Sequence, residues 1–206
     1  GLALTSHDDA QLASATFDHV TVEISDPDSP SGTPAPWDSR DVGGPGAAGS
    51  GSVSSGAWTI SGSGADIWGR ADAFRFVSQP LIGDGTIIAR VTTLAGDNVW
   101  AKAGVMLRET LDADSPHAFA LVTPGGVNGV AFQRRQVRAD VSLHTAGPAI
   151  AAPVWLKLVR RGALVSAFWS LDGQNWSGIG VDTVAMQSTI FAGLAVTSHD
   201  PGALAT

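Results

Sequence analysis

The chain has no cysteine, which excludes a disulfide framework, a cysteine-bound metal and a thiol nucleophile. It is poor in basic residues: twelve lysines and arginines stand against nineteen acids, for a formal charge of −7. Nucleic acid and anionic membrane are therefore excluded as main partners, since both need a basic face to neutralise phosphate. No apolar run approaches the length that spans a bilayer, and no membrane insertion is expected. Glutamate is confined to Glu23 and Glu109, with no acidic cluster at alternate positions. Glycosidic bond cleavage uses two carboxylates flanking the bond, so this scarcity argues against that chemistry. There is no G-x-S-x-G elbow, and the five histidines (7, 19, 117, 144 and 199) have no metal-ligand spacing.

What is present is a chain of 206 residues, 44% hydrophobic and rich in glycine, a length that suits one domain plus a tail. It opens on Gly1 rather than methionine, which reads as a fragment or processed product. The clearest internal signal is a repeat. "GLALTSHDDAQLAS" (1–14) matches "GLAVTSHDPGALAT" (193–206) at nine of fourteen positions, at an offset of 192 residues. An offset of that size is a domain period and not a solenoid unit. Residues 1–24 are accordingly assigned to the end of a preceding repeat. Residues 25–36, "SDPDSPSGTPAP", form a proline-rich linker, and residues 37–206 form a domain that lacks its final strand.

From Trp37 onward the chain alternates β-rich runs with turn signals. "TIIARVTTL", "VWAKAGVMLRE", "HAFALVT", "VWLKLVR", "ALVSAFWSL" and "TIFAGLAVT" are rich in β-branched and aromatic residues, and no segment reads as a convincing helix. Asp172-Gly173 sits where a primed hairpin turn belongs. Many short antiparallel strands with glycine turns make a sandwich or barrel.

Taken together, "SGADIWGRADAFRFVSQPL", "WAKAGVMLRE", "AFQRR", "VWLKLVRRG", "SLDGQNW" and "GLAVTSHD" resemble the concanavalin A-like jelly-roll modules of a family of unknown function, repeated in large secreted bacterial proteins. The resemblance spans about residues 37–206. It implies an all-β fold, a two-sheet antiparallel jelly-roll sandwich, in an extracellular or cell-surface protein, with "ATFDHVTV" as the closing strand. Fold likeness leaves function open, because sites are grafted on folds.

In the run 99–109, Val99, Ala101, Ala103, Val105 and Leu107 alternate as an apolar row and are assigned to the core. Trp100, Lys102, Met106 and Arg108 then share the opposite face, and Gln133 and Arg135 face outward if Val130 and Phe132 face in. An exposed surface of Trp100, Lys102, Arg108, Gln133 and Arg135 is the candidate glycan site, since a sugar ring stacks on an aromatic while fixed side chains bind its hydroxyls. The competing reading is that these residues simply cover the second face. His7-Asp8 and His199-Asp200 read as turn residues, as does the Ser170–Trp176 segment, which is similar to an aspartate box. "SDPDS" and "LDADS" offer closely spaced oxygens for calcium without a complete ligand pattern, and no other cofactor is indicated.

The sequence thus reads as a non-catalytic, structural or adhesive repeat module. The alternatives are a carbohydrate-binding module and, because the fold permits it, a glycan-active hydrolase. Its expected partners are neighbouring copies of itself and glycans. Residues 15–24 are a free strand, with Thr16, Phe17, Val20, Val22 and Ile24 as the assembly residues and the last three alternating toward one face. Donation of this strand between chains, head to tail, is the favoured arrangement.

Overall fold

Runs of β-branched and aromatic residues cut by glycine fold as strands, nineteen of them among the described residues, with one 3-10 turn at Pro124–Gly126 and no α-helix. The computed structural model describes residues 4–5, 12–13, 15–24, 37–94 and 98–205. The proline-rich segment 25–36, with "SDPDS" inside it, and His7-Asp8 lie outside the described residues. No described helix is long and apolar enough to cross a membrane.

In chain order the strands are β1 (Leu4–Thr5), β2 (Leu12–Ala13), β3 (Ala15–Ile24), β4 (Asp38–Val42), β5 (Ser50–Ser54), β6 (Ala57–Gly64), β7 (Ile67–Trp68), β8 (Ala71–Asp72), β9 (Phe74–Ile82) and β10 (Gly85–Leu94). They continue as β11 (Lys102–Arg108), β12 (His117–Val122), β13 (Val130–Arg135), β14 (Leu143–Ala146), β15 (Val154–Arg161), β16 (Leu164–Ser170), β17 (Ser177–Thr183), β18 (Thr189–Thr197) and β19 (Asp200–Ala205). A front sheet runs β14-β13-β12-β11-β18-β9-β4. A back sheet runs β17-β16-β15-β10-β3-β6-β19, with β5 also on β6. The two sheets pack as an antiparallel sandwich, the coarse architecture read from the sequence.

Between them lies the main core. Val105, Leu107, Ala120 and Phe132 come from the front sheet, and Phe17, Ile60, Ile87, Leu156 and Val165 from the back, all buried. The parity read from the sequence holds from Ala101 onward, but Val99 is 48% exposed, in the turn that precedes β11. The opposite face of the front sheet departs from expectation. It carries a second apolar cluster of Ile67, Phe74, Phe76, Met106, Phe119 and Leu121. The β7–β8 hairpin lies over this face, its backbone tied to the loop after β11 by Asp72 N to Ala113 O at 2.9 Å. Every residue of β11 and β12 is consequently buried, as in strands covered on both sides. Gly104 in β11 is sterically required, because a Cβ there would stand 2.0 Å from the carbonyl oxygen of Ala120.

In the single chain, residues 15–24 are a paired strand and not a free one. β3 sits inside its own chain's back sheet, antiparallel to β10 and to β6. Ala15 and Phe17 are fully buried; then a bulge near His19, whose φ is +49°, resets the alternation so that Val20 and Val22 pack on the core. Thr16 faces the other way and its carbonyl accepts the Thr92 hydroxyl at 2.6 Å. Ile24 is 49% exposed at the strand end, not a core residue.

β19 pairs with β6 through Leu204 opposite Ser63 and Ala205 opposite Gly62. β3 continues that register with Ala15 opposite Ile60, Thr16 opposite Thr59 and Phe17 opposite Trp58.

Candidate functional site: a tryptophan-lined cleft on the front sheet

At one end of the front sheet's outer face, three cations or potential cations from neighbouring strands converge. Arg108 on β11, His117 on β12 and Arg135 on β13 stand in one row, since Arg108 pairs with His117 and His117 with Arg135. Asp72 from β8 descends onto them. Its Oδ2 accepts from Arg108 Nη1 at 2.6 Å and from Arg135 Nη1 at 2.8 Å, and its Oδ1 accepts from Arg135 Nη2 at 2.6 Å. All four side chains are fully buried. Burial works against the charge on Asp72, but His117 and the two guanidinium groups outweigh it and hold the carboxyl below its ordinary value. Arg135 also donates to the carbonyl oxygens of Gly69 at 3.1 Å and Ser115 at 3.0 Å, and Arg108 lies over the Phe74 ring at 5.3 Å. These arginines pin the hairpin to the sheet. Arg108 and Arg135 are therefore not surface ligand-binding groups, because the cover that the hairpin provides removes them from solvent.

Burial pushes the His117 imidazole down to about 3, against the attraction of Asp72 and with the repulsion of Arg108 and Arg135. Its folded-state value thus lies below the unfolded value of about 6.5, so the unfolded chain binds the extra proton between those values and stability falls as pH drops through that window. Urea midpoints should report a loss of about 2 kcal/mol on going from pH 7 to pH 5. A His117→Gln variant should flatten that slope, and an unchanged slope would show that His117 is not its source.

Beside this cluster the face opens into a cleft of about 410 Å³, lined by Asp66, Trp68, Trp100, Lys102, Gln133, His144 and His199. Asp66 and Trp68 come from the start of the β7–β8 hairpin, Trp100 from the turn before β11, and Lys102 from the first residue of β11. Gln133 lies in β13, His144 in β14, and His199 in the turn between β18 and β19, at φ +61°. The two tryptophans are 40% and 43% exposed, and the Trp68 ring meets His144 edge-on at 6.4 Å.

Polar atoms form the cleft's base. Lys102 Nζ is ion-paired with Asp66 Oδ1, and His199 Nε2 approaches Asp66 Oδ2 at 3.2 Å. Burial opposes the charge on Asp66, yet the bonds to His199 and Lys102 hold its carboxyl below the usual range. Burial also lowers Lys102, against the pull of Asp66, and lowers His144 with help from Lys102 and Arg134. Gln133 Nε2 donates to His144 Nδ1 at 3.2 Å, while Gln133 Oε1 is buried without a partner among the described residues. A second compartment of about 310 Å³ shares Trp100 and His144 and continues past Asn128 and Gly147.

No family model matches the chain, and no curated protein matches its sequence. A solved structure does resemble it: a functionally unknown protein from Saccharomyces cerevisiae, at a TM-score of 0.57 over 71% of this chain and 82% of the yeast chain, with 14% identity. Likeness at that identity concerns the fold alone.

Of the residues assigned from sequence, Trp100, Lys102 and Gln133 line the cleft. Asp66, Trp68, His144 and His199 were missed. Outside the cleft, local bonding occupies the acidic segments read from the sequence. In Ser170–Trp176, Asp172 accepts from the Asn175 side-chain amide at 2.7 Å, from the backbone of Asn175 and Gln174, both at 2.8 Å, and from the Ser170 hydroxyl at 2.9 Å, and these bonds hold its carboxyl low. Trp176 packs under Lys157, whose Nζ is 3.9 Å from the ring centroid. In "LDADS", Asp112 and Asp114 face Arg138 at 2.7 and 2.8 Å. Glu109 accepts the Gln187 amide at 2.8 Å, outside the cleft, and Glu23 is exposed on β3.

Proposed function

We propose that this chain is a non-catalytic carbohydrate-binding module, a concanavalin A-like jelly roll belonging to a repeat-bearing extracellular or cell-surface protein. It takes a neutral polysaccharide segment along the groove past Trp68 and Trp100. The single observation that supports this most is the pairing of two half-exposed tryptophans with a base of fixed, buried polar groups, including the unpartnered Gln133 Oε1. Sugar rings present apolar faces for stacking and hydroxyls that donate and accept, which matches that arrangement. Lys102 is already neutralised by Asp66, so nothing in the lining selects an anionic sugar. The compartment shared through Trp100 favours a chain of sugars over a single one. Among the described lining residues Asp66 is the one carboxylate, and its oxygens are engaged by Lys102 and His199. Double-displacement or inverting hydrolysis needs a second carboxylate across the bond.

A glycan array followed by titration calorimetry tests the reading. Saturable binding to a neutral polysaccharide, insensitive to added salt, is expected, and Trp68→Ala or Trp100→Ala should weaken it about tenfold or more with the fold intact. Absence of binding to any neutral glycan, or unchanged affinity in both variants, would overturn it. No new reducing ends are expected during binding; turnover that Asp66→Asn abolishes would make the cleft an active site. A structural role in joining neighbouring modules is the second reading, favoured by the duplicated segment.

A further inference from the structure

The internal repeat and the register of the back sheet, observed independently, place the same segment in the same position. In the repeat, Ser14 corresponds to Thr206, and Ala15 to the position that follows it. On β6, Leu204 and Ala205 stand opposite Ser63 and Gly62, and Ala15 stands opposite Ile60. Carried on at one residue per position, the second position after Ala205, which corresponds to Ala15 in the repeat, falls opposite Ile60. Ala15 is found there. β3 thus occupies, residue for residue, the place that a repeat running on past Thr206 would give to its own copy of "ATFDHVTVEI". Side-chain parity agrees, because Ala15 and Phe17 turn inward beside Ile60. The other edge of β6 pairs with β5 from Ala57 to Ser61, which leaves one edge for this strand.

We propose that residues 15–24 are an exchangeable strand, and that the slot between β10 and β6 accepts this segment from a second copy of the chain. The proposal does not depend on glycan binding. Every contact that β3 makes is reproduced when a neighbour supplies it, so the two arrangements differ chiefly in how the strand is delivered. Delivery from the same chain runs through residues 25–36, and a short tether sets an effective concentration of about millimolar. The strand therefore closes on its own chain in dilute solution and passes between copies when they are crowded or joined in series.

The test uses the full chain. Unfolded in urea and refolded at two concentrations about tenfold apart, it should give dimers and longer species by light scattering, their fraction rising severalfold with concentration. Since the chain has no cysteine, Thr16→Cys and Thr59→Cys place the sole thiols opposite each other on β3 and β6. Chains carrying one substitution each, mixed before refolding, should cross-link Cys to Cys between chains; the double variant marks the same closure within one chain. Thr21→Cys with Ile88→Cys repeats the test against β10. Monomers at both concentrations overturn the proposal, as do oligomers in which neither pair cross-links between chains.

Discussion

Replacing Asp72 with alanine should lower the unfolding free energy by about 3–5 kcal/mol, the cost of leaving buried charges without their partner. Arg108 and Arg135 each lose a charge-assisted bond of 2.6 Å in a site closed to water, and Arg108 Nε has no hydrogen-bond partner among the described residues to begin with. A domain of this size is stable by roughly 5–15 kcal/mol, so the variant would stand near its threshold. Asp72→Asn keeps the volume and part of the bonding but not the charge, and should fall between wild type and alanine. Urea unfolding at pH 7 measures all three. If alanine costs less than about 1 kcal/mol, the cluster is solvated in solution and the hairpin is not pinned as described.

The second large effect is expected at Phe17, which Phe17→Ala should destabilise by about 3–5 kcal/mol through the lost transfer energy and the cavity left behind. Its ring is fully buried in the main core from a strand that has β10 on one edge and β6 on the other. Ile24→Ala, at the half-exposed end of the same strand, should cost well under 1 kcal/mol. Equal effects at the two positions would mean that β3 is not seated in the sheet. A wild-type-like Phe17→Ala variant would show that residues 37–206 fold without it.

The sandwich was legible because alternation in β11 and β13 fixes which residues face the core, and that parity needs no tertiary knowledge. The candidate site was legible in part for the same reason. Trp100, Lys102 and Gln133 share the outer face by parity alone, but parity says nothing of what lies over that face. The warning was present in β12, where "HAFALV" is apolar or buried at consecutive positions and does not alternate, the pattern of a strand covered on both sides. Arg108 and Arg135 were misread for want of Asp72, which reaches them from a hairpin 36 and 63 residues away in sequence. Asp66, Trp68 and His199 likewise arrive from segments distant in sequence, the start of the β7–β8 hairpin and the turn after β18. His199 follows "GLAVTS" in the second copy of the repeat, and nothing local distinguishes a turn histidine from one aimed at a carboxylate. The repeat itself shows how far context rules: Leu4 pairs with Ala13 in the first copy, whereas the corresponding Val196 lies in β18 between β11 and β9.

The shared register of β19 and β3 on β6 also bears on where this fold is cut. If the strand that follows Thr206 in a repeat and the strand that begins at Ala15 are the same strand, the strand order of the sandwich is circular. A polypeptide beginning at Trp37, running through Thr206 and passing directly into Ala15–Ile24 would set down every strand of both large sheets in turn. The proline-rich segment would have no distance to span. Its composition would then answer to the spacing of modules along a string and not to the folding of any one of them.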